Sequence, residues 1–213
     1  MKIAILGGSF NPPHICHLFA IQYVLATLEC QQLWMLPCYR HAFGKRLASF
    51  EHRLAMCRFS VAGFKEDQVL ALPLEQERQG TSWSIDTVRY LKQRSPEHTF
   101  YWIIGSDVLH ELERWKDFHE LQQLVSFFVL PRAGTEIQHG SQLPEHSAGR
   151  SDAHSVLIQD LQRKCRILEQ LGILLPAVSS SSIRARIRQQ QAIHHLVVRE
   201  VEQYIREHRL YLS

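Results

Sequence analysis

The chain has 213 residues, of which 45% are hydrophobic and 21% charged, with only 10 glycines and 8 prolines. This balance excludes a disordered or low-complexity chain, and the length suits a single domain over residues 1–213 with a sizeable buried core. The formal net charge of +3 is too small for a dedicated nucleic-acid-binding protein. We therefore expect no nucleic-acid partner and favour a small anionic ligand.

Membrane insertion and a disulfide scaffold are both disfavoured. No apolar stretch approaches the roughly 20 residues that span a bilayer, so no membrane partner is expected. The short apolar run at the start is followed at once by Gly7, which predicts no signal peptide. The five cysteines are odd in number and include no C-x-x-C pair, which favours the reducing cytoplasm. The oligomeric state stays open, with a homo-oligomer among the options.

Strands and helices alternate through the first half of the chain. Continuous apolar runs, typical of strands buried on both faces, occupy Lys2–Leu6, Leu33–Leu36 and Val69–Leu72. Apolar residues spaced by three or four predict a helix up to about Glu29, and Ser49 is suited to cap another. The basic segment Cys38–Ser49 lacks periodicity and is predicted to be a loop of the kind that meets anions.

The alternation continues in the second half. A helix with Ile85, Val88 and Leu91 on one face is predicted, with Ser82 or Ser84 as its cap. Further predictions are a strand at Phe100–Ile104, a helical stretch at Asp107–Leu124 broken near Trp115–Asp117, and a strand at Phe127–Leu130. The remainder is predicted to hold a surface excursion (Arg132–Arg150), a helix (Ser155–Cys165), a sixth strand between Arg166 and Val178, and two closing helices, the last with Val197, Val201, Tyr204 and Ile205 as a core stripe.

This order of elements predicts an α/β fold, namely a Rossmann-like doubly wound parallel sheet with C-terminal helices from about residue 179. Ligands of such sheets bind at the carboxyl ends of the strands. The segments that follow those strand ends are therefore expected to carry the functional residues.

The most informative segment joins the first strand to the first helix and reads G-G-S-F-N-P-P-H-I-C-H from residue 7 to residue 17. Two glycines allow a phosphate to approach the backbone, and His14 and His17 can direct two imidazoles at one anion. A tight turn with two incidental histidines explains the segment equally well on its own. The spacing is not G-x-G-x-x-G, which disfavours a dinucleotide fingerprint. A metal site at His14, Cys16 and His17 is disfavoured because three ligands on one turn rarely reach tetrahedral geometry.

The segment resembles the H-x-G-H nucleotidyltransferase superfamily, and specifically the nicotinate or nicotinamide mononucleotide adenylyltransferases. Ile103–Asp107 is similar to the I-I-G-x-D strand end of that family. Val178–Arg184 is similar to its phosphate-binding motif I-S-S-T-x-I-R, and weaker similarity includes Arg53–Met56. The resemblance covers nearly the whole chain in order, except about Thr135–Cys165.

Two positions depart from the bacterial pattern of this family, which usually has Asp and Gly where the chain has Asn11 and Cys16. Eukaryotic relatives show the G-S-F-N-P form and lack that glycine. In the basic loop, only Lys45 matches the P-P-H-K-like run of the bacterial family.

The resemblance implies an enzyme of NAD biosynthesis that joins ATP and nicotinate mononucleotide into the dinucleotide and releases pyrophosphate, with nicotinamide mononucleotide as a second candidate substrate. It implies Mg²⁺ bound with ATP and no metal site made by the protein alone. Because the attacking phosphate is already ionised near pH 7, the task is alignment and charge stabilisation rather than proton removal.

The matching positions assign roles to individual residues. Catalytic roles fall to His14, His17, Lys45 and Arg184. ATP binding falls to Gly7, Gly8, Ser9, Phe10, His17, Gly105, Asp107, Ser180, Ser181 and Arg184. Mononucleotide binding falls to Asn11, Trp83, Ser84, Trp115 and Arg132. The tryptophans suit the pyridine ring because indole faces attract a cationic aromatic ring.

Two other interpretations stay open. One is a different enzyme of the superfamily, such as a pantetheine-phosphate adenylyltransferase or a cytidylyltransferase, although the chain length and the tryptophans argue against it. The other is a nucleotide-binding regulatory module that has lost turnover. His14, His17 and Arg184 all match the family motifs, which gives no support to a regulatory module. Cys16 is the one departure from the motifs that supports it.

Overall fold

The computed structural model describes residues 1–130, 166–167 and 178–212. Its main feature is a parallel sheet of six strands, β1 (Lys2–Gly8), β2 (Gln32–Pro37), β4 (Val69–Ala71), β6 (Thr99–Gly105), β7 (Ser126–Leu130) and β8 (Arg166–Ile167). They lie in the order β4-β2-β1-β6-β7-β8, so the direction of winding reverses between β1 and β6. The predicted doubly wound α/β sheet is confirmed.

Helices cover both faces of this sheet. They are α1 (Ile15–Thr27), α2 (Phe50–Val61), α3 (Leu74–Arg78), α4 (Ser84–Arg94), a 3-10 helix (Ser106–Arg114), α5 (Phe118–Leu124), α6 (Ser180–Arg188) and α7 (Arg199–Glu207). A separate parallel pair joins β3 (Arg40–His41) to β5 (Thr81–Ser82). The sequence pattern does not reveal β3, β5 or α3, because elements of two to five residues are too short to show a period.

The core explains why the strands are continuous apolar runs. Alternate residues of a strand project to opposite sides, so Ala4 and Leu6 pack in the cluster that contains α1 and α2, while Ile3 and Ile5 pack in the cluster that contains α4 and α5. All four are buried. Since both faces are covered, residues 3–6 of β1 leave no position for a polar side chain.

A third cluster joins the C-terminal helices to α2. Met56 of α2 packs with Ile183 of α6 and with Val201 and Ile205 of α7. The predicted core stripe is confirmed at Val201 and Ile205, while Tyr204 is only partly buried. Val197 is buried as predicted but precedes α7, which begins at Arg199. The backbone N–H of Ile15 donates to the carbonyl of Leu196 at 2.9 Å, which ties this part of the chain to the start of α1.

Cap geometry confirms one local prediction and corrects another. Ser49 caps α2, since its hydroxyl accepts from the backbone N–H of His52 at 3.3 Å. The prediction that Ser82 or Ser84 caps α4 is wrong, because the N-cap is Trp83. The Ser82 hydroxyl accepts instead from the backbone N–H of Tyr39 at 2.8 Å, and Ser84 is already the first helical residue.

The break predicted near Trp115–Asp117 is confirmed. It separates the 3-10 helix from α5, and Asp117 adopts a left-handed φ of 49° there. The sixth strand is confirmed at Arg166–Ile167, whereas the predicted excursion and helix between Arg132 and Cys165 lie outside the described residues. Within the described ranges, no helix is long and apolar enough to cross a membrane.

Candidate active site

A cleft of about 360 Å³ lies at the carboxyl ends of the central strands. Its lining includes Gly7 at the end of β1, Leu36 of β2, Gly105 of β6 and Leu130 of β7. β1 and β6 are the neighbours between which the winding reverses, and doubly wound sheets bind ligands at that point. The position predicted from the order of elements therefore agrees with the cleft.

The two glycines at the end of β1 are closely packed and leave little room for a side chain. A Cβ on Gly7 would lie 3.2 Å from the Trp102 ring, and one on Gly8 would lie 3.0 Å from the Phe10 ring. Phe10 is 2% exposed and does not line the cleft, although it is predicted to bind ATP. Its ring instead meets the His17 ring edge-on, with centroids 4.9 Å apart. Phe10 thus supports His17, while Gly7, Gly8 and Ser9 line the cleft.

His14 and His17 lie at the start of α1, and both line the cleft. Their ring centroids are 3.8 Å apart, and the backbone N–H of His14 donates to Nδ1 of His17 at 3.1 Å. A ring nitrogen that accepts a hydrogen bond cannot also carry the proton, so the neutral His17 ring carries it on Nε2. His17 is therefore held as a donor through Nε2, which suits a phosphoryl oxygen.

Asn11 is predicted to bind the mononucleotide, but its side chain is buried and bonded within the protein. Asn11 is 2% exposed and is not part of the cleft lining. Its Oδ1 accepts from the backbone N–H of Ala48 at 3.0 Å and from the Tyr211 hydroxyl at 2.9 Å. Burial raises the pKa of Tyr211, which keeps the phenol a donor. Both bonds need only an acceptor oxygen, so the departure from Asp to Asn preserves this junction.

The four serines at the start of α6, residues 179–182, make different contacts. Ser179 is the N-cap, since its hydroxyl accepts from the backbone N–H of Ser182 at 3.1 Å. Ser180 donates its hydroxyl proton to the carbonyl of Pro12 at 2.8 Å. The groups of this run suited to donate to a phosphate are therefore the Ser181 hydroxyl and the backbone N–H groups of the first turn.

Arg184 joins α6 to the turn that precedes α1. Its Nη1 donates to the carbonyl of Asn11 at 2.8 Å, and its Nη2 donates to the Ser181 hydroxyl at 3.1 Å. Arg184, Ser180 and Ser181 are not among the residues that line the cleft. They are instead attached to the segment that leads into His14.

Both tryptophans predicted to contact the pyridine ring line the cleft, and they come from different elements. Trp83 precedes α4, and Trp115 follows the 3-10 helix. Ser84 lines the cleft beside Trp83. Phe43 of the basic loop adds a third aromatic side chain, with its ring edge-on to Trp83 at 6.1 Å, and sequence reasoning misses it. The guanidinium of Arg114 lies 5.5 Å from the centre of the Phe43 ring.

The basic loop supplies cations to one side of the cleft. Lys45 is exposed and lines the cleft, as does the neighbouring His41. Burial, followed by the charges of Lys45 and Arg53, lowers the pKa of His41 below its usual value of 6.5, so its imidazole is neutral at pH 7. Its Nδ1 accepts from the backbone N–H of Phe43 at 3.0 Å. Lys45 is therefore a cation of this loop that is placed to meet an anion in the cleft.

A fixed cation, Arg53 of α2, lies behind the cleft and is only 1% exposed. It donates to the carbonyls of Ser9 at 3.0 Å, Tyr39 at 3.3 Å and Ala48 at 2.9 Å. No carboxylate among the described residues forms an ion pair with it. Its positive charge therefore favours an anion near Ser9. The resemblance at Arg53–Met56 is the one sequence signal that points to this residue.

The remaining site residues also have defined places. Gly105 ends β6, and Asp107 lies in the first turn of the 3-10 helix; both line the cleft. Arg132 lies outside the described residues. Lining residues that sequence reasoning misses include Cys38, Glu75, Trp102, Glu111 and Lys116. Across the described part of the chain, no three His, Cys, Asp or Glu side chains are grouped to hold a metal ion.

The chain is similar to known proteins over most of its length. The family model described as cytidylyltransferase-like matches residues 5–186. A "probable nicotinate-nucleotide adenylyltransferase" of Myxococcus xanthus is 35% identical over 99% of this chain and 95% of its own length. Its counterpart from Bacillus licheniformis is 32% identical over 99% of this chain and 98% of its own length.

Solved structures show the same fold. The Plasmodium falciparum nicotinic acid mononucleotide adenylyltransferase complexed with APC matches with a TM-score of 0.78 at 19% identity, over 99% of this chain and 96% of that chain. The same enzyme complexed with NaAD matches with a TM-score of 0.74 at 19% identity, over 99% of this chain and 97% of that chain. The resemblance found in the motifs is confirmed: the chain belongs to the cytidylyltransferase-like family and, within it, to the nicotinate-nucleotide adenylyltransferases.

Proposed function

We propose that the chain transfers the adenylyl group of ATP to nicotinate mononucleotide, forming the dinucleotide and pyrophosphate. This proposal rests mainly on the composition of one cleft, located where the winding of the sheet reverses between β1 and β6. The cleft is lined by His14 and His17 and also by Trp83 and Trp115. The histidines suit the phosphates of ATP, and the indoles suit a pyridine ring. Nicotinamide mononucleotide is the second acceptor to be tested.

The chemical step is an in-line displacement. An oxygen of the mononucleotide 5′-phosphate forms a bond to the α-phosphorus of ATP, and the bond from that phosphorus to the pyrophosphate oxygen breaks. No proton must be removed from the attacking phosphate, so the protein contributes alignment and charge stabilisation. Nε2 of His17 donates to the α-phosphoryl oxygens as negative charge accumulates there, with His14 beside it.

The rest of ATP is bound along the β1–α1 turn and α6. The backbone of Gly7, Gly8 and Ser9 accommodates the phosphates, with the charge of Arg53 behind Ser9. Lys45, Arg184 and the N–H groups at Ser180 and Ser181 bind the leaving pyrophosphate. Gly105 and Asp107 bind the adenosine ribose, because a carboxylate accepts from its hydroxyls.

Mg²⁺ enters with ATP as part of the substrate. Mg²⁺ prefers oxygen ligands and commonly combines phosphate oxygens with few protein groups. The described residues hold no three-residue cluster of metal ligands, so we assign the ion to the triphosphate oxygens. Its charge then adds to that of Lys45.

The mononucleotide occupies the side of the cleft formed by Trp83, Ser84 and Trp115, with Phe43 at its edge. Asn11 acts by holding the turn together, given its bonds to Ala48 and Tyr211. Arg132 remains a predicted contact of the mononucleotide.

Pyrophosphate release by the purified protein with ATP and Mg²⁺ tests the function. Parallel reactions contain nicotinate mononucleotide, nicotinamide mononucleotide or phosphopantetheine. We expect turnover with nicotinate mononucleotide, and the ratio of the two pyridine substrates measures the preference. Turnover with phosphopantetheine alone would identify a sister transferase, and ATP binding without any turnover would identify a regulatory module.

Replacing Trp115 with alanine is expected to raise the KM for the mononucleotide about tenfold, because stacking and cation–π contact contribute on the order of 1 kcal/mol or more. The KM for ATP should stay within about twofold. Trp34→Ala is the matched control, since Trp34 is also half-buried but lies outside the cleft lining. An equal rise in both KM values would mean that Trp115 is a packing residue.

A further inference from the structure

Glu75, in the first turn of α3, is a buried carboxylate that lines the cleft and that the mechanism above does not use. Glu75 as a whole is only 5% exposed. A buried carboxylate is costly unless its oxygens are paired with donors. Its two partners therefore indicate what the group holds in place.

Each oxygen of Glu75 has a specific donor. Oε1 accepts from the Thr87 hydroxyl at 2.5 Å, and Oε2 accepts from Nη2 of Arg78 at 3.3 Å. Among the described carboxylates, Glu75 is the one that forms an ion pair with Arg78. Thr87 belongs to α4 and is 1% exposed, so its hydroxyl has no access to bulk water.

The same two donors hold the segment that carries Trp83. Nη2 of Arg78 also donates to the carbonyl of Thr81 at 2.6 Å. The backbone N–H of Thr87 donates to the carbonyl of Trp83 at 3.1 Å, and the Thr87 hydroxyl lies 3.2 Å from the same oxygen. The carboxylate thus connects two residues that bind the backbone on both sides of Ser82.

We propose that Glu75, Arg78 and Thr87 form a positioning network that fixes the Trp83 indole for the pyridine ring of the mononucleotide. The inference rests on the proposed function, because it needs Trp83 to face that substrate. The three residues hold the 81–83 segment through its carbonyls, so loosening the network displaces Trp83 relative to Trp115. None of the residues assigned to ATP belongs to the 81–83 segment, so ATP binding is expected to change less than mononucleotide binding.

Thr87→Val tests the network, because valine keeps the shape of threonine and replaces the hydroxyl with a methyl group that cannot donate to Glu75. We expect the KM for nicotinate mononucleotide to rise about tenfold, as a hydrogen bond to a charged group is lost. The KM for ATP should change less than about twofold. Thr87→Ser restores the hydroxyl and should bring the mononucleotide KM back to within about threefold of the parent value.

Thr27→Val is the matched control. The Thr27 hydroxyl donates to the carbonyl of Tyr23, four residues earlier in α1, at 2.7 Å, and Thr27 lies outside the cleft lining. If Thr87→Val does not fold, Glu75→Gln carries the same test, since it keeps the shape and removes the charge. Equal changes in both KM values, or no change in either, would overturn the network. An inactive parent protein would overturn the proposed function instead.

Discussion

His17→Ala is expected to lower kcat by about 10²–10³-fold, the range found when one donor to developing oxyanion charge is removed. The neutral ring of His17 is held as a donor through Nε2, because Nδ1 accepts from the His14 backbone N–H at 3.1 Å. Alanine removes that donor from the cleft. Single-turnover measurement of dinucleotide formation with saturating ATP and mononucleotide checks the result.

The same substitution should change the thermal unfolding midpoint little. His17 is half-buried, and alanine removes the hydrogen bond to Nδ1 and the ring contacts with Phe10 and His14, while the apolar core clusters stay intact. His119→Ala is the matched control, since His119 is an exposed histidine of α5 outside the cleft lining. Activity of His17→Ala within a few-fold of the parent would refute the assigned role, whereas a collapse of the unfolding midpoint would make the residue structural.

The elements that carry the fold are predictable because their signals are local. Ile3, Ala4, Ile5 and Leu6 are all apolar because β1 is covered on both faces, and that run is visible without a structure. The break at Asp117 is equally local, since it interrupts a periodic pattern. The cap of α4 is not predictable in this way, because Ser82 is engaged by Tyr39, 43 residues away.

The catalytic turn shows the limit of local reasoning more clearly. The phosphate-binding character of its glycines and histidines follows from the sequence, yet the groups that hold it do not. Asn11 bonds to Tyr211, 200 residues later in the chain, and Arg53 bonds to Ser9, 44 residues earlier. A charged residue in a helical pattern is expected at the surface, so the burial of Arg53 is a consequence of tertiary structure alone.

Arg184→Gln is expected to lower kcat/KM for ATP by about a hundredfold. Hydrogen bonds to charged groups contribute about 1.5–3 kcal/mol each, and every 1.4 kcal/mol is a factor of ten. Arg184 supplies a cation near the middle of α6 and donates to the carbonyl of Asn11 at 2.8 Å. Glutamine keeps part of the side-chain length but has neither the positive charge nor the paired N–H donors of the guanidinium group. Arg184→Lys keeps the charge, so it should restore part of the ATP affinity but little of the positioning of the turn before α1.

Titration calorimetry with ATP and steady-state kinetics together separate these two contributions. Loss of charge weakens ATP binding and reduces its dependence on salt, while loss of the Asn11 contact lowers kcat by misplacing the histidines that follow it. Arg188→Gln is the matched control, because Arg188 lies on the same helix and is exposed. Unchanged ATP affinity with a lower kcat would mean that Arg184 only positions the turn that precedes α1 and does not bind ATP. If neither ATP affinity nor kcat changes, α6 does not belong to the proposed site.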